Sequence, residues 1–214
     1  MRIDLIMACL IAATGAGLAQ SSGGAPPRQQ AAPAGLDLNA ARRGAAELAA
    51  VRAILNDPDA DVRLMAVREI ALNGTPAQRH VAIEVGLASL DPLMRDTAVR
   101  MLVSGLTTVT LPFVDENGAP QRVGGEGLTA LTMTITSFDL NTGTFSGLPV
   151  SGCQLSGNEP LSGQVSGAVV NFRTQGDKCN GSLRWNSEAG AFVGTVNLDY
   201  GRAGAERRVV WKPN

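Results

Sequence analysis

Apolar positions along this chain follow one period up to residue 105 and another beyond it. From Asp37 to Gly105 they recur every three to four residues, the spacing of helices with one buried face. Asn39 is placed to cap a first helix running to about Leu55, with Ala45, Leu48, Val51, Ile54 and Leu55 along one stripe. The turn Asn56-Asp57-Pro58-Asp59 follows, and Asp59 or Asp61 caps a second helix, expected to turn Val62, Met65, Ala66, Ile70 and Ala71 inward before Asn73-Gly74 closes it. Thr75-Pro76 opens a third helix bearing Val81, Ile83, Val85 and Leu87. Asp91-Pro92 repeats the device for a fourth, with Met94, Ala98, Val99, Leu102 and Val103 ahead of Gly105.

After Gly105 the period becomes two. Thr107–Leu111 and Leu128–Thr136 alternate apolar and hydroxyl residues, as half-buried strands do. Turn signals at Asn117-Gly118, Asn141-Thr142-Gly143 and Glu188-Ala189-Gly190 separate further strands expected over 143–150, 162–165, 168–174, 182–185, 191–198 and 207–211. Many short strands at about ten-residue spacing indicate an antiparallel barrel or a sandwich. The expected fold class is therefore α+β with two domains: a helical module over 37–105 and an all-β module over 106–214.

Two stretches before residue 37 follow neither rhythm. Residues 1–19 begin Met1-Arg2, continue through apolar Leu5, Ile6, Leu10 and Ile11, and end in small residues at Ala16-Gly17-Leu18-Ala19, the pattern of a secretory signal peptide. Residues 20–36 are rich in Gln, Pro, Ala, Gly and Ser with almost nothing to bury, so a flexible linker is expected. The expected location is periplasmic or secreted, with no membrane association after signal cleavage. In that setting Cys153 and Cys179, the two cysteines beyond the leader, are expected to form a structural disulfide, since they lack C-x-x-C spacing.

The two halves each resemble a known family. Val62-Arg63-Leu64-Met65-Ala66-Val67-Arg68 aligns with Met94-Arg95-Asp96-Thr97-Ala98-Val99-Arg100 at an offset of 32 residues, and Asp57-Pro58-Asp59-Ala60-Asp61-Val62-Arg63 places a turn acid before the helix. This pattern resembles HEAT repeats over residues 40–105 and implies helical hairpins stacked side by side. The β half resembles the avidin family through Met133-Thr134-Ile135, Gly143-Thr144-Phe145-Ser146-Gly147, Pro160-Leu161-Ser162-Gly163, Phe192-Val193-Gly194-Thr195 and Val209-Val210-Trp211. The resemblance implies an eight-stranded barrel that binds biotin in its mouth, with Phe192 and Trp211 at matching pocket positions. It departs at Pro149, where the family has tyrosine, at Phe172, nearest its central tryptophan, and at Asp177–Asn186, which looks inserted.

Composition narrows the chemistry. A formal net charge of −1 gives no field that favours nucleic acid. His80, the single histidine, lies on the third helix, so no Ser–His–Asp arrangement suggests itself, and the N and S ligands for a zinc site are too few. Asp57, Asp59 and Asp61 lack the glycine and distal glutamate of a calcium loop and read as capping acids. Gly124-Gly125-Glu126-Gly127 lacks the strand–turn–helix setting of a phosphate loop. No cofactor is expected.

Trp185, Tyr200 and Trp211 fall in the last thirty residues with Phe192, either as an aromatic cup for a small apolar ligand or as the plug of a barrel core. Phe172, Trp185, Phe192 and Trp211 are the candidate ligand-binding residues. The expected function is that of an exported, non-catalytic binding or scaffolding protein with a protein partner or a small apolar ligand. The alternatives are avidin-like small-molecule binding in the barrel mouth and a carboxylate-based hydrolase or lyase. The sequence leaves the oligomeric state open.

Overall fold

Helix caps set the first half of the molecule. The structure, a computed structural model, describes residues 37–123, 127–151, 153, 160–176, 178–198 and 205–213. The expected signal peptide, the linker and Tyr200 lie outside them. Four helices follow one another: α1 (Leu38–Leu55), α2 (Ala60–Asn73), α3 (Pro76–Ala88) and α4 (Pro92–Ser104). The Asp59 carboxylate accepts from Asp61 N at 2.8 Å and caps α2. Thr75 and Gln78 form a reciprocal capping box on α3, with Pro76 in its first turn. Asp91 accepts from Leu93 N and Met94 N at the start of α4, again with a proline first.

The helices form two hairpins sharing one apolar layer, with Leu55, Val67, Ala71, Val81, Ala82, Met94 and Met101 buried between them. A side chain at Gly86 would bring its Cβ to 2.6 Å from Ala98 Cβ, so this glycine sets the close approach of α3 to α4. One expectation is corrected here. On α2 the inward residues are Leu64, Ala66, Val67, Ile70 and Ala71, whereas Val62 and Met65 face outward. Apolar residues lie on both faces of this helix, so its period does not say which stripe is buried. Ile54 of α1 likewise faces out.

The second half is a single antiparallel sheet of eight strands paired in chain order: β1 (Thr108–Pro112), β2 (Ala130–Phe138), β3 (Thr144–Ser151), β4 (Leu161–Ser166), β5 (Val169–Thr174), β6 (Cys179–Asn186), β7 (Ala191–Leu198) and β8 (Ala205–Trp211). The sheet curls until its first and last strands meet. An isolated bridge joins Phe113 to Val209, and Val114 N donates to Arg208 O at 3.0 Å. The result is a nearly closed up-and-down barrel, and the sandwich alternative is set aside. The stretch that looked inserted supplies β6, a full member of the sheet.

Inward positions are apolar: Leu111, Leu131, Met133, Phe145, Leu161, Val165, Phe172, Leu183, Phe192, Val196 and Val209 fill the interior. Outward positions such as Thr110, Asn171, Ser182 and Arg184 are exposed and polar, the reverse of a lipid-facing barrel. No helix among the described residues is long and apolar enough to cross a membrane. Cys153 and Cys179 form a disulfide with a Cα–Cα separation of 5.9 Å, joining the start of β6 to the segment that follows β3.

Residues Leu38–Asn214 form one compact unit. The barrel has two ends, and the helical layer covers one. Val99 and Val103 of α4 belong to the same buried cluster as the barrel interior, with Leu87, Leu102 and Leu106 packed against it. The change of period at residue 105 thus marks a change of element type, and the barrel's buried cluster takes in residues from both sides of it.

Replacing Cys153 and Cys179 together by serine should lower stability by roughly 3.5 kcal/mol in the chain-entropy model for a closed loop of this length. Urea denaturation of the oxidised protein and of the variant checks this. A difference below about 1 kcal/mol would mean that the bond leaves the unfolded chain no more constrained than the reduced one.

Candidate functional site

Strand register decides where the four candidate aromatics go. Trp185, Phe192 and Trp211 are direct cross-strand partners on β6, β7 and β8, so their side chains share one face. That face is the interior, because Phe192 is fully buried. The rings of Trp185 and Phe192 meet edge-on with centroids 5.1 Å apart and planes at 61°, and those of Phe192 and Trp211 stack at 5.1 Å and 24°. The three form one aromatic layer at the end of the barrel nearest the helices.

Phe172 belongs elsewhere. It occupies another inward row, in which Phe145, Gly163, Phe172, Gly181 and Val196 are successive cross-strand partners. Two glycines make that row possible. A Cβ at Gly181 would lie 2.5 Å from Phe172 Cζ, and one at Gly163 would collide with the Phe145 ring. The rings occupy the space those side chains would need, so Phe172 is a packing residue in the body of the barrel.

The aromatic layer is covered. The Trp185 indole Nε1–H donates to the Leu87 carbonyl near the C-terminus of α3 at 3.1 Å. Around it α4 is tied to the turns at the same end of the barrel. Gly167 N donates to Asp96 Oδ1 at 2.8 Å, and Arg100 Nη1 donates to Asn141 O at 2.6 Å and Leu140 O at 3.3 Å. The Arg100 Nε–Asp96 Oδ2 ion pair, at 2.9 Å, braces the two side chains that make these contacts. Sequence reasoning did not find Leu87, Asp96 and Arg100 as partners of the barrel. Their contacts span long sequence separations, and no local pattern announces them.

One part of the layer reaches the surface. The β1–β8 seam is bridged at Phe113–Val209 and by Val114 N to Arg208 O, and beside these contacts the strands leave a groove. Its walls include Leu106, Phe113, Val210 and Trp211, with Thr108, Thr110 and Lys212 supplying polar groups.

Several carboxylates among the described residues are bonded to backbone N–H groups. Asp59 and Asp91 cap helices, and Asp57 accepts from Asp59 N in the turn. Asp139 accepts from the backbone of Asn141 and Thr142, and these bonds, with the Thr142 hydroxyl and the Arg100 charge, hold its carboxyl below the usual range. That is the direction opposite to the one a general acid needs. Among the described residues no group of three or more His, Cys, Asp or Glu is placed to hold a metal ion. His80 is exposed on α3.

Trp211→Ala should cost about 3–5 kcal/mol of stability, as removal of a packed core aromatic does. Trp185→Phe should cost about 1 kcal/mol by leaving the Leu87 carbonyl without its donor while keeping a ring in place. Chemical denaturation measures both, and a loss below about 1 kcal/mol for Trp211→Ala would show that this ring does not hold the core together.

Comparison of the chain with protein-family models, with characterised proteins and with solved structures finds no match.

Proposed function

We propose that this is a non-catalytic binding or scaffolding protein that works in the periplasm or outside the cell and presents its outer surfaces to a protein partner. The observation that carries the reading is the state of the barrel. Its interior is occupied by its own side chains, and α3 and α4 pack over the end that carries the aromatic layer. A filled barrel is a rigid body, and its working surface is then its exterior. The disulfide and the leader pattern support an oxidising compartment. The helical hairpins are HEAT-like on this reading, and the strand order is that of an avidin-like barrel whose mouth the helices occupy.

A second reading keeps a small apolar ligand but moves it from the barrel mouth to the β1–β8 seam, where Trp211 lines a surface groove. The two readings separate in a thermal-shift experiment on the mature protein with biotin and with a panel of small apolar compounds. The scaffolding reading predicts no saturable rise in Tm. It also predicts a discrete covalent adduct when a photocrosslinking residue replaces Leu90, which stands 93% exposed on the α3–α4 turn, in the protein's own compartment. A ligand present at a hundred times its Kd would add about 2.7 kcal/mol and raise Tm by several degrees. Such a rise, or the absence of any adduct, would count against the scaffolding reading.

A further inference from the structure

The helical stack has two ends, and among the described residues only one is covered. The 32-residue offset between α2 and α4 shows what each end is built to meet. Val67 and Ala71 of α2 lie buried in the helical layer, and their equivalents on α4, Val99 and Val103, are buried in the barrel core. The barrel therefore stands where a third hairpin would. On the opposite side of the repeat, Met94 of α4 is fully buried in the layer it shares with the first hairpin. Its equivalent on α2 is Val62, and no hairpin precedes α1 among the described residues to cover it.

The uncovered face is apolar, which is not how a stack normally ends. Terminal repeats carry a polar outer face. Here Met65 is 64% exposed, Leu72 54%, Ile54 45% and Val62 37%, and together they line one groove along α1 and α2. Asp61 and Arg68, both exposed, flank it. Seven residues apart on a helix, these two lie on the same flank of the apolar stripe, about 10 Å from each other along the axis. Neither side chain forms an ion pair or hydrogen bond within the chain among the described residues.

We propose that a second copy of this chain covers this face, α2 against α2 in antiparallel orientation about a two-fold axis. The charges select this occupant. A two-fold axis perpendicular to both helices lays each flank against the same flank of the partner with the direction reversed. Centred midway between Asp61 and Arg68, it sets Asp61 of each copy against Arg68 of the other, twice over. Met65, the most exposed apolar side chain of the stripe, then lies at the axis against its equivalent. Glu69 lies on the other flank, away from the partner's Asp61, and accepts from Asn73 Nδ2 at 2.8 Å. The apolar patch is small for an interface, so the dimer is a weak one, dissociating in the range of tens of micromolar. The proposal stands on surface geometry and does not depend on the binding role argued above.

Sedimentation equilibrium of the mature protein, from about 1 µM to about 1 mM, tests it. The expected result is a reversible monomer–dimer equilibrium. Met65→Glu should raise Kd at least about 100-fold by placing two carboxylates at the axis. Asp61→Arg and Arg68→Asp should each raise it about 10-fold, and the double variant Asp61→Arg/Arg68→Asp should restore it. All these positions are exposed, and unchanged circular dichroism of each variant verifies that the fold is kept. A monomer throughout the range overturns the proposal. So does a dimer that Met65→Glu leaves intact, or charge effects that simply add in the double variant.

Discussion

The contact between α4 and the barrel end satisfies two needs at once. A short stack of two hairpins leaves an apolar helix face to be covered, and a barrel with a large aromatic layer at one end leaves that layer to be kept from water. Val99 and Val103 cover the barrel interior while the barrel covers them. Polar groups at the rim are paired across the junction. Trp185 donates to Leu87 O, Gly167 N to Asp96, and Arg100 to the carbonyls of Leu140 and Asn141. Neither half has this arrangement without the other.

Local chemistry was legible in the sequence, and long-range partnership was not. The starts of α2, α3 and α4 could be read from Asp59, Thr75-Pro76 and Asp91-Pro92, since a cap needs only the residues next to it. The eight strands could be read from alternation and turn residues, and the cysteine pairing from there being two cysteines beyond the leader. The buried face of α2 could not, because Val62, Met65 and Leu72 form as good a stripe as Leu64, Val67 and Ala71. Burial there depends on which neighbour exists. Grouping Phe172 with Trp185, Phe192 and Trp211 failed for a related reason. Which residues share a layer is fixed by strand register, and register is set by pairing across the whole sheet.

The aromatic-rich end of a barrel offers either a cup or a plug, and the choice lies outside the barrel's own sequence. Three inward rings at one end are compatible with either. What distinguishes them here is the helical layer, whose Leu87 carbonyl takes the one hydrogen that the Trp185 side chain can donate. A ligand in that mouth would have to displace a helix end. The same logic sends attention to surfaces: the α1–α2 face and the β1–β8 seam are places where the chain leaves apolar groups uncovered.

The central claim is that α4 and the barrel share one core. Native-state hydrogen exchange tests it most directly, with the Trp185 indole N–H and the α4 amides followed beside the amides of β6 and β7. The account predicts that all of them open with the same free energy, in one cooperative unfolding event. Exchange of the Trp185 indole and of α4 at much lower free energy, while the strands stay protected, would show that the helical layer is a detachable cover and would contradict it.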